Sequence, residues 1–136
     1  MNLTIHQMQG AVPVTILGIQ GDLDGSTYMA VINKAQELCR AGTRNLLIDL
    51  TGVPFLSSAG LVALHHIALL MRGDQPPDPT QGWAALRAIA MEQSDVQRHV
   101  KLLNLQPRVD KALEMAGMKQ FFEIYTNLDT AVSSFS

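Results

Sequence analysis

The chain has 136 residues, of which 47% are hydrophobic and 16% are charged. This length suits one domain with a packed core, because domains most often contain about 100–150 residues. A net charge of −2 offers no basic surface for phosphate backbones, so direct nucleic-acid binding is not expected. Cys39 is the single cysteine, which excludes an internal disulfide and any site built from several cysteines.

The sequence also lacks the patterns of a secreted or membrane-spanning protein. Residues 1–6 contain no basic region followed by an apolar stretch, which a signal peptide would have. No apolar run is long enough to cross a bilayer, which takes about 20 residues. We therefore expect a soluble, cytoplasmic protein.

The first half of the chain alternates between strand and helix patterns. Apolar residues at every second position indicate strands, and apolar residues at helical spacing indicate helices. A run of apolar residues at 46–48 is typical of a strand buried on both faces. The predicted elements are strands at 3–9 and 12–19, a helix from Ser26 or Thr27 to about Ala41, a strand at 44–50, and a helix after Ser57 to about Arg72.

The second half begins with a proline-rich loop at 73–82, which cannot continue a helix. Pro107 suits the first turn of a helix, and Gly117 suits its end. The predicted elements are a helix at 83–93, a strand at about 99–105, a helix from Pro107, a strand at 121–125, and a short helix capped by Asn127 or Asp129.

This alternation predicts an α/β fold with one central sheet and helices packed on it. The first two strands are close enough in sequence to be joined by a tight turn, so they should be antiparallel. We therefore predict a mixed sheet of about five strands with about four helices, in a single domain.

Two serines follow the buried third strand at the start of the next helix. The positive end of a helix favours negative charge, so a serine there is well placed to carry a phosphate. Serine is also an ordinary N-cap residue, whose side chain accepts a hydrogen bond from the helix backbone. For Ser57 and Ser58, local chemistry alone leaves both interpretations open.

Residues 21–24 (Gly-Asp-Leu-Asp) and 50–61 (Leu-Thr-Gly-Val-Pro-Phe-Leu-Ser-Ser-Ala-Gly-Leu) resemble the STAS domain. That family comprises bacterial anti-sigma factor antagonists and the cytosolic tails of sulfate transporters. Residues 102–107 and 113–122 are similar to its closing strand, helix and strand. The resemblance implies one STAS-like domain over residues 1–136, with residues 73–97 as an inserted loop and helix.

In the family, the second helix begins with aspartate, serine, serine or threonine, and glycine, and a partner kinase phosphorylates the serine after the aspartate. This resemblance makes Ser58 the phosphorylation site, with Ser57 as the second choice, and matches Gly60 to the glycine. It matches Asp24 to an acidic residue of the partner- and nucleotide-facing surface. Ser57 replaces the family aspartate, and Ala59 follows the acceptor. Ser57 preserves the cap but removes a charge, so a kinase that relies on the family carboxylate would recognise this chain poorly.

The spacing along the second helix predicts two groups of side chains. The group facing the sheet comprises Leu61, Leu64, Ala68 and Met71. The adjoining group comprises Ser58, Val62, His65 and Leu69. An apolar patch beside Ser58 would suit a docking partner, and a phosphate within it would oppose docking. Alternatively, Val62 and Leu69 pack under the inserted segment.

No residue pattern indicates an enzyme or a metal site. His65 and His66 are adjacent and point in different directions, so they do not form a ligand pair of helical spacing. Asp22 and Asp24 belong to a turn, and Asp49 lies within a predicted strand. The sequence contains no phosphate-binding glycine loop and no nucleophile elbow. We expect no catalytic residue, no metal and no cofactor.

The resemblance implies a non-catalytic anti-sigma factor antagonist that regulates transcription. Its partner would be a serine kinase of the GHKL type acting as an anti-sigma factor, and a phosphatase of the PP2C type would reverse phosphorylation at Ser58. The expected partner-binding residues are Asp24, Ser57, Ser58, Gly60, Val62 and Leu69. The alternative is a scaffold that is not phosphorylated, or a module that senses a nucleotide or small ligand near Asp24.

Overall fold

The computed structural model describes residues 1–91 and 96–136 and contains one five-stranded sheet. A short 3₁₀ helix at Lys119–Phe121 precedes the last strand. The strands and α-helices are β1 (Asn2–Gln9), β2 (Pro13–Gln20), α1 (Tyr28–Arg40), β3 (Leu46–Gly52), α2 (Ser58–Arg72), α3 (Gly82–Ala90), β4 (Val100–Leu103), α4 (Pro107–Met115), β5 (Ile124–Tyr125) and α5 (Leu128–Ser133). The predicted α/β class is confirmed.

The strands lie side by side in the order in which they occur in the chain. β1 and β2 are antiparallel because a short turn joins them, whereas β2, β3, β4 and β5 are parallel. The predicted mixed sheet is therefore confirmed. Leu46, Leu47 and Ile48 are fully buried, as expected for a central strand with both faces covered.

The two faces of the sheet carry cores of different size. Helices α1, α2 and α4 pack on one face in a large cluster that includes Leu17, Ile48 and Leu102. On the other face, α5 packs over a smaller cluster that includes Leu47 and Phe135. The short last helix therefore supplies the helical cover of the second face in the described part of the chain.

Helix α3 lies within the segment that we predicted as an insertion. It packs against α2 through Ala85, which is 2% exposed, and Ile89 contacts the large core. In the preceding loop, the carbonyl of Pro79 accepts a hydrogen bond of 3.4 Å from the Tyr28 hydroxyl of α1. The helix ends before the predicted limit of Gln93, which lies outside the described residues.

The predicted fifth strand, residues 121–125, is wrong over its first three residues, since β5 contains only the last two. Phe121 ends the 3₁₀ turn, and its carbonyl accepts from the backbone N–H of Gln97 at 3.0 Å. Hydrogen bonding to β4 begins at the carbonyl of Glu123, which accepts from Leu102 N–H at 3.0 Å. Burial of the aromatic side chain, and not strand pairing, fixes Phe121.

Strands β3 and β4 also differ from their predicted ranges of 44–50 and 99–105. β3 extends to Gly52, because the following loop continues alongside the end of β2. β4 ends at Leu103, because Asn104 has a φ of 57°. This left-handed conformation interrupts an extended strand, and asparagine tolerates it better than most residues.

Within residues 1–91 and 96–136, none of the helices combines the length and hydrophobicity that a bilayer crossing needs. The same residues contain no group of three or more histidine, cysteine, aspartate or glutamate side chains placed to hold a metal ion.

Candidate functional site

The loops after β2 and β3 run side by side and bring the starts of α1 and α2 to one end of the sheet. The N–H of Gly21 donates to the carbonyl of Gly52 at 2.9 Å, and the N–H of Leu23 donates to that of Phe55 at 3.0 Å. Leu23 and Leu56 then form an isolated parallel bridge. These bonds explain why residues far apart in sequence, Asp24 and Ser58, belong to one surface region.

Ser57 caps α2, which confirms the role predicted for it. Its backbone is extended, and its side chain accepts a hydrogen bond of 3.4 Å from Gly60 N–H. Its own N–H donates to the carbonyl of Leu23 at 3.0 Å, so the start of α2 is tied to the loop after β2. Because Ser57 provides the cap, the side chain of Ser58 is not needed to hold the start of α2.

Ser58 is the first residue of α2, and its side chain is exposed. Its hydroxyl has no hydrogen-bond partner among the residues that the structure describes. The first backbone N–H groups of a helix have no partner within the helix and, with the helix dipole, favour an anion. This hydroxyl is therefore accessible, and a phosphate on it would be electrostatically favoured by α2.

Asp24 organises the loop that leads into α1. Its Oδ1 atom accepts from Ser26 N–H at 2.9 Å, from Ser26 Oγ at 2.7 Å and from Thr27 Oγ1 at 3.3 Å. The bonds from Ser26 are the main reason that the pKa of Asp24 is lowered from its ordinary value. The Asp24 carbonyl also accepts from Tyr28 N–H at 2.9 Å. The carboxylate is charged and shapes the loop beside Ser58.

Gly60 is buried because α2 passes very close to the loop after β2. A Cβ atom at this position would lie 2.6 Å from the carbonyl oxygen of Leu23 and would collide with Cδ1 of Leu56. That oxygen cannot easily move, since it accepts the hydrogen bond from Ser57 N–H. The structure therefore explains this glycine by the close approach of backbone segments.

We expect Gly60→Ala to lower the free energy of unfolding by about 1–3 kcal/mol, although alanine favours helices. Urea unfolding followed by circular dichroism measures the change. Gly82→Ala is the matched control, because a Cβ there meets nothing within 4 Å. It should leave the free energy of unfolding unchanged or raise it. Equal effects of the two substitutions would contradict the close-approach explanation.

Val62 and Leu69 are only 6% and 7% exposed. They belong to a continuous buried stretch of α2, from Val62 to Leu69, between the sheet, α1 and α3. Of the two alternatives, the structure therefore favours packing under the inserted segment. Neither side chain forms an exposed patch, and their role in partner binding remains a prediction.

The predicted sheet-facing side of α2 is only partly correct. Leu64 and Ala68 are fully buried in the large core, as predicted, whereas Leu61 and Met71 are half-buried at its margin. Ile67 is fully buried in that core and was absent from the prediction. Packing of α1 and α3 on two sides of α2 widens its buried surface beyond one stripe.

A cavity of about 300 Å³ opens between the starts of α1 and α2 and the segment 79–86. Its lining includes Gly25, Ser58, Val62, Pro79, Gly82 and Leu86. Ser58 and Val62 are site residues predicted from the sequence, whereas the other four are not. The turn composition around Gly25 was visible in the sequence, whereas no local signal shows that Leu86 faces α2.

His66 lies on α2 beneath the loop before α3. It is 6% exposed, and neither ring nitrogen has a hydrogen-bond partner among the described residues. Burial is the main cause that lowers the pKa of the His66 imidazole, and the neighbouring His65 acts in the same direction. The carbonyl of Pro77 and the carboxylate of Asp78 oppose this shift without outweighing burial. The folded protein therefore favours the neutral ring.

This burial predicts a loss of stability on acidification. An unfolded histidine has a pKa of about 6.5, so below that pH the unfolded chain binds a proton that the folded chain resists. The free energy of unfolding should fall between pH 7.5 and 5.5, by at most about 1.4 kcal/mol per pH unit from this residue. Urea unfolding at each pH measures how steeply the free energy of unfolding depends on pH.

His66→Phe should make this pH dependence weaker. His6→Gln is the control, because His6 is exposed, and it should leave the pH dependence unchanged. The same pH dependence in both variants would contradict the assignment to His66.

The sequence model of the STAS domain family matches residues 5–73, about half of the chain. The match contains both loops at this end of the sheet and stops at the residue that follows α2. No curated protein sequence matches the chain.

Solved structures of anti-sigma factor antagonists have a similar fold. One from Mycobacterium paratuberculosis is 18% identical with a TM-score of 0.66, and the match covers 98% of this chain and 92% of that one. A putative one from Thermotoga maritima is 14% identical with a TM-score of 0.69, with coverage of 95% and 90%. The phosphorylated Bacillus cell fate determinant SpoIIAA is 14% identical with a TM-score of 0.54, with 96% of each chain covered. The chain belongs to the STAS domain family and has the fold of its anti-sigma factor antagonists.

Proposed function

We propose that this protein is a non-catalytic regulator that binds a serine kinase acting as an anti-sigma factor. The unphosphorylated form binds the kinase and so releases the sigma factor. Phosphorylation of Ser58 ends the binding, and a phosphatase of the PP2C type restores it. Asp24, Ser57 and Gly60 shape the docking surface around Ser58.

The exposed hydroxyl of Ser58 is the observation that carries this proposal. It is the first residue of α2, it lacks a hydrogen-bond partner in the described part of the chain, and Ser57 supplies the cap in its place. A kinase can therefore modify Ser58 without breaking a bond that holds the fold. The phosphorylated form of a structural neighbour supports a phosphate switch on this fold.

A phosphate at Ser58 would act mainly on the partner and not on the fold. It brings a charge of about −1.5 to −2, which the start of α2 tolerates because backbone N–H groups point toward it. A partner surface seated on Ser58 would have to remove water from that charge, which is costly without a matching positive group. The switch therefore works by excluding the partner.

Incubation with the kinase and ATP, followed by mass spectrometry, tests the acceptor. Phosphate should appear on Ser58 in the wild-type protein and in Ser57→Ala, and it should be absent from Ser58→Ala. Phosphate on Ser57, or none on either serine, would contradict the proposal. Subsequent treatment with the phosphatase should remove the phosphate from Ser58.

Ser57→Asp restores the charge that the family pattern places before the acceptor. Aspartate and serine cap helices about equally well, so the free energy of unfolding should change by less than about 0.5 kcal/mol. We expect faster phosphorylation of Ser58, measured as initial rate at a fixed kinase concentration. Ser57→Asn, which caps without a charge, is the control. If the two variants react at the same rate, the carboxylate has no part in recognition by the kinase.

A further inference from the structure

The lining of the cavity beside Ser58 is mainly apolar, and the two other hydroxyl groups in it already have hydrogen-bond partners. Tyr28 and Thr80 also line it. The hydroxyl of Tyr28 donates to the carbonyl of Pro79 at 3.4 Å, and that of Thr80 donates to the carboxylate of Asp78 at 2.7 Å. Ser58 therefore has the one lining hydroxyl without a partner in the described part of the chain.

The size of the cavity suits a side chain of another protein. Its volume is about 300 Å³, whereas an apolar cavity of about 150 Å³ is enough to hold benzene. Val62 and Leu86 provide aliphatic surface, and Leu86 is 37% exposed at the margin. An occupant with a charge would find no counter-charge among the lining residues, so an aliphatic side chain is the better match.

We propose that this cavity receives one aliphatic side chain of the kinase partner, as the anchor of the docking interface. This inference rests on the proposed function, because it names how the same partner is recognised. The inserted segment then takes part in docking, since Pro79, Gly82 and Leu86 line the cavity together with two residues of α2, Ser58 and Val62. The segment extends the docking surface.

The position of Ser58 in the wall links the anchor to the switch. A phosphate on this hydroxyl places a charge of about −1.5 to −2 beside the entering aliphatic side chain. The charge remains hydrated only if that side chain is expelled. The family match ends at residue 73, so the opposite wall, residues 79–86, is the part that can distinguish this chain's partner from those of other family members.

Two glycines of the cavity lining can carry a larger side chain without a clash. Gly25 and Gly82 line it from opposite sides, and a Cβ at either position meets nothing within 4 Å. Neither has a positive φ, so a larger side chain causes no backbone strain. Gly82→Leu and Gly25→Leu are therefore suitable variants for closing the cavity.

Isothermal titration calorimetry of the full, unphosphorylated chain with the kinase tests the anchor. We expect each leucine variant to weaken binding at least about tenfold, which corresponds to about 1.4 kcal/mol, since a few buried anchors carry most of the binding energy of an interface. Ala84→Leu is the control, because Ala84 is exposed on the same helix and does not line the cavity. It should bind like the wild-type protein.

The outcomes distinguish the anchor from the proposed function. If the wild-type protein binds the kinase and both cavity variants bind equally well, the anchor is wrong and the proposed function stands. If the wild-type protein does not bind the kinase, the proposed function fails and the anchor fails with it. Thermal unfolding of Gly82→Leu and Gly25→Leu should match the wild type, which shows that weaker binding does not reflect a damaged fold.

Discussion

Phe135→Ala should lower the free energy of unfolding by about 3–5 kcal/mol, although Phe135 is the penultimate residue of the chain. Its side chain is 1% exposed and packs with Ile16, Leu47 and Leu103 on the face of the sheet that α5 covers. Truncation would leave a cavity in the smaller of the two cores. Urea unfolding followed by circular dichroism measures the loss.

Leu128→Ala is the control for this effect, because Leu128 begins the same helix and is 39% exposed. It should change the free energy of unfolding by about 0.5 kcal/mol or less. A similar loss from both substitutions would show that α5 contributes through helix formation in general. A loss below about 1 kcal/mol for Phe135→Ala would contradict its place as a core residue.

A buried lysine explains why the end of the chain is held in place. The Lys101 ammonium group of β4 donates to the carbonyl and the hydroxyl of Ser134, both at 3.0 Å. It also lies 3.2 Å from Glu123 Oε2 and 4.7 Å from the centre of the Phe135 ring. The charge is thus compensated by a carboxylate, a carbonyl and an aromatic face, and these contacts fix the residues after α5.

Ser58→Glu should weaken kinase binding by about 100-fold, the second large effect that we expect. An interface that closes over Ser58 must desolvate the added carboxylate, and an unpaired charge in such a place costs several kcal/mol. The fold should be unaffected, because a negative charge at the first position of α2 complements the helix dipole. Surface plasmon resonance with immobilised kinase measures the affinity.

Ser58→Gln is the matched control, since glutamine has nearly the same size and shape as glutamate but no charge. It should lose much less affinity than Ser58→Glu. Equal losses would attribute the effect to bulk at the docking surface and not to charge. Binding of Ser58→Glu with wild-type affinity would remove Ser58 from the interface.

Much of the fold could be predicted because the local signals and the packing agree. The apolar run in β3 identified a central strand, Pro107 marked the first turn of α4, and Asn127 caps α5 as one of the two predicted residues. Each signal acts within a few residues of the element that it specifies. Hydrogen bonds and burial in the tertiary structure then reinforce the same choice.

The differences arise where contacts distant in sequence decide the structure. Phe121 looks like a strand residue, but its carbonyl accepts from the N–H of Gln97 and its ring packs against that of His65 in α2, with the ring centres 5.9 Å apart. β4 ends before Asn104, whose side-chain amide donates to the hydroxyl of Thr51 in β3 at 2.9 Å. Neither feature has a local pattern that would have revealed it.

The candidate site also combines features that local sequence predicts with features that depend on distant contacts. The presence of a cap at Ser57 or Ser58 could be predicted, because helix starts have a clear sequence signature, whereas the division of roles between the two serines came from the family resemblance. The burial of Val62 and the cavity beside it could not be predicted, since they depend on where the segment 79–86 lies. The requirement for Gly60 likewise comes from Leu23, in a loop far away in sequence.

Calorimetric titration of the kinase with the phosphorylated and unphosphorylated forms of this protein tests the central claim most directly. Both forms should come from one preparation, with phosphate confirmed on Ser58 alone. We expect the unphosphorylated form to bind and the phosphorylated form to bind at least about 100-fold more weakly. Phosphatase treatment of the second sample should restore the first affinity. Equal affinities of the two forms would contradict the claim that Ser58 is the switch.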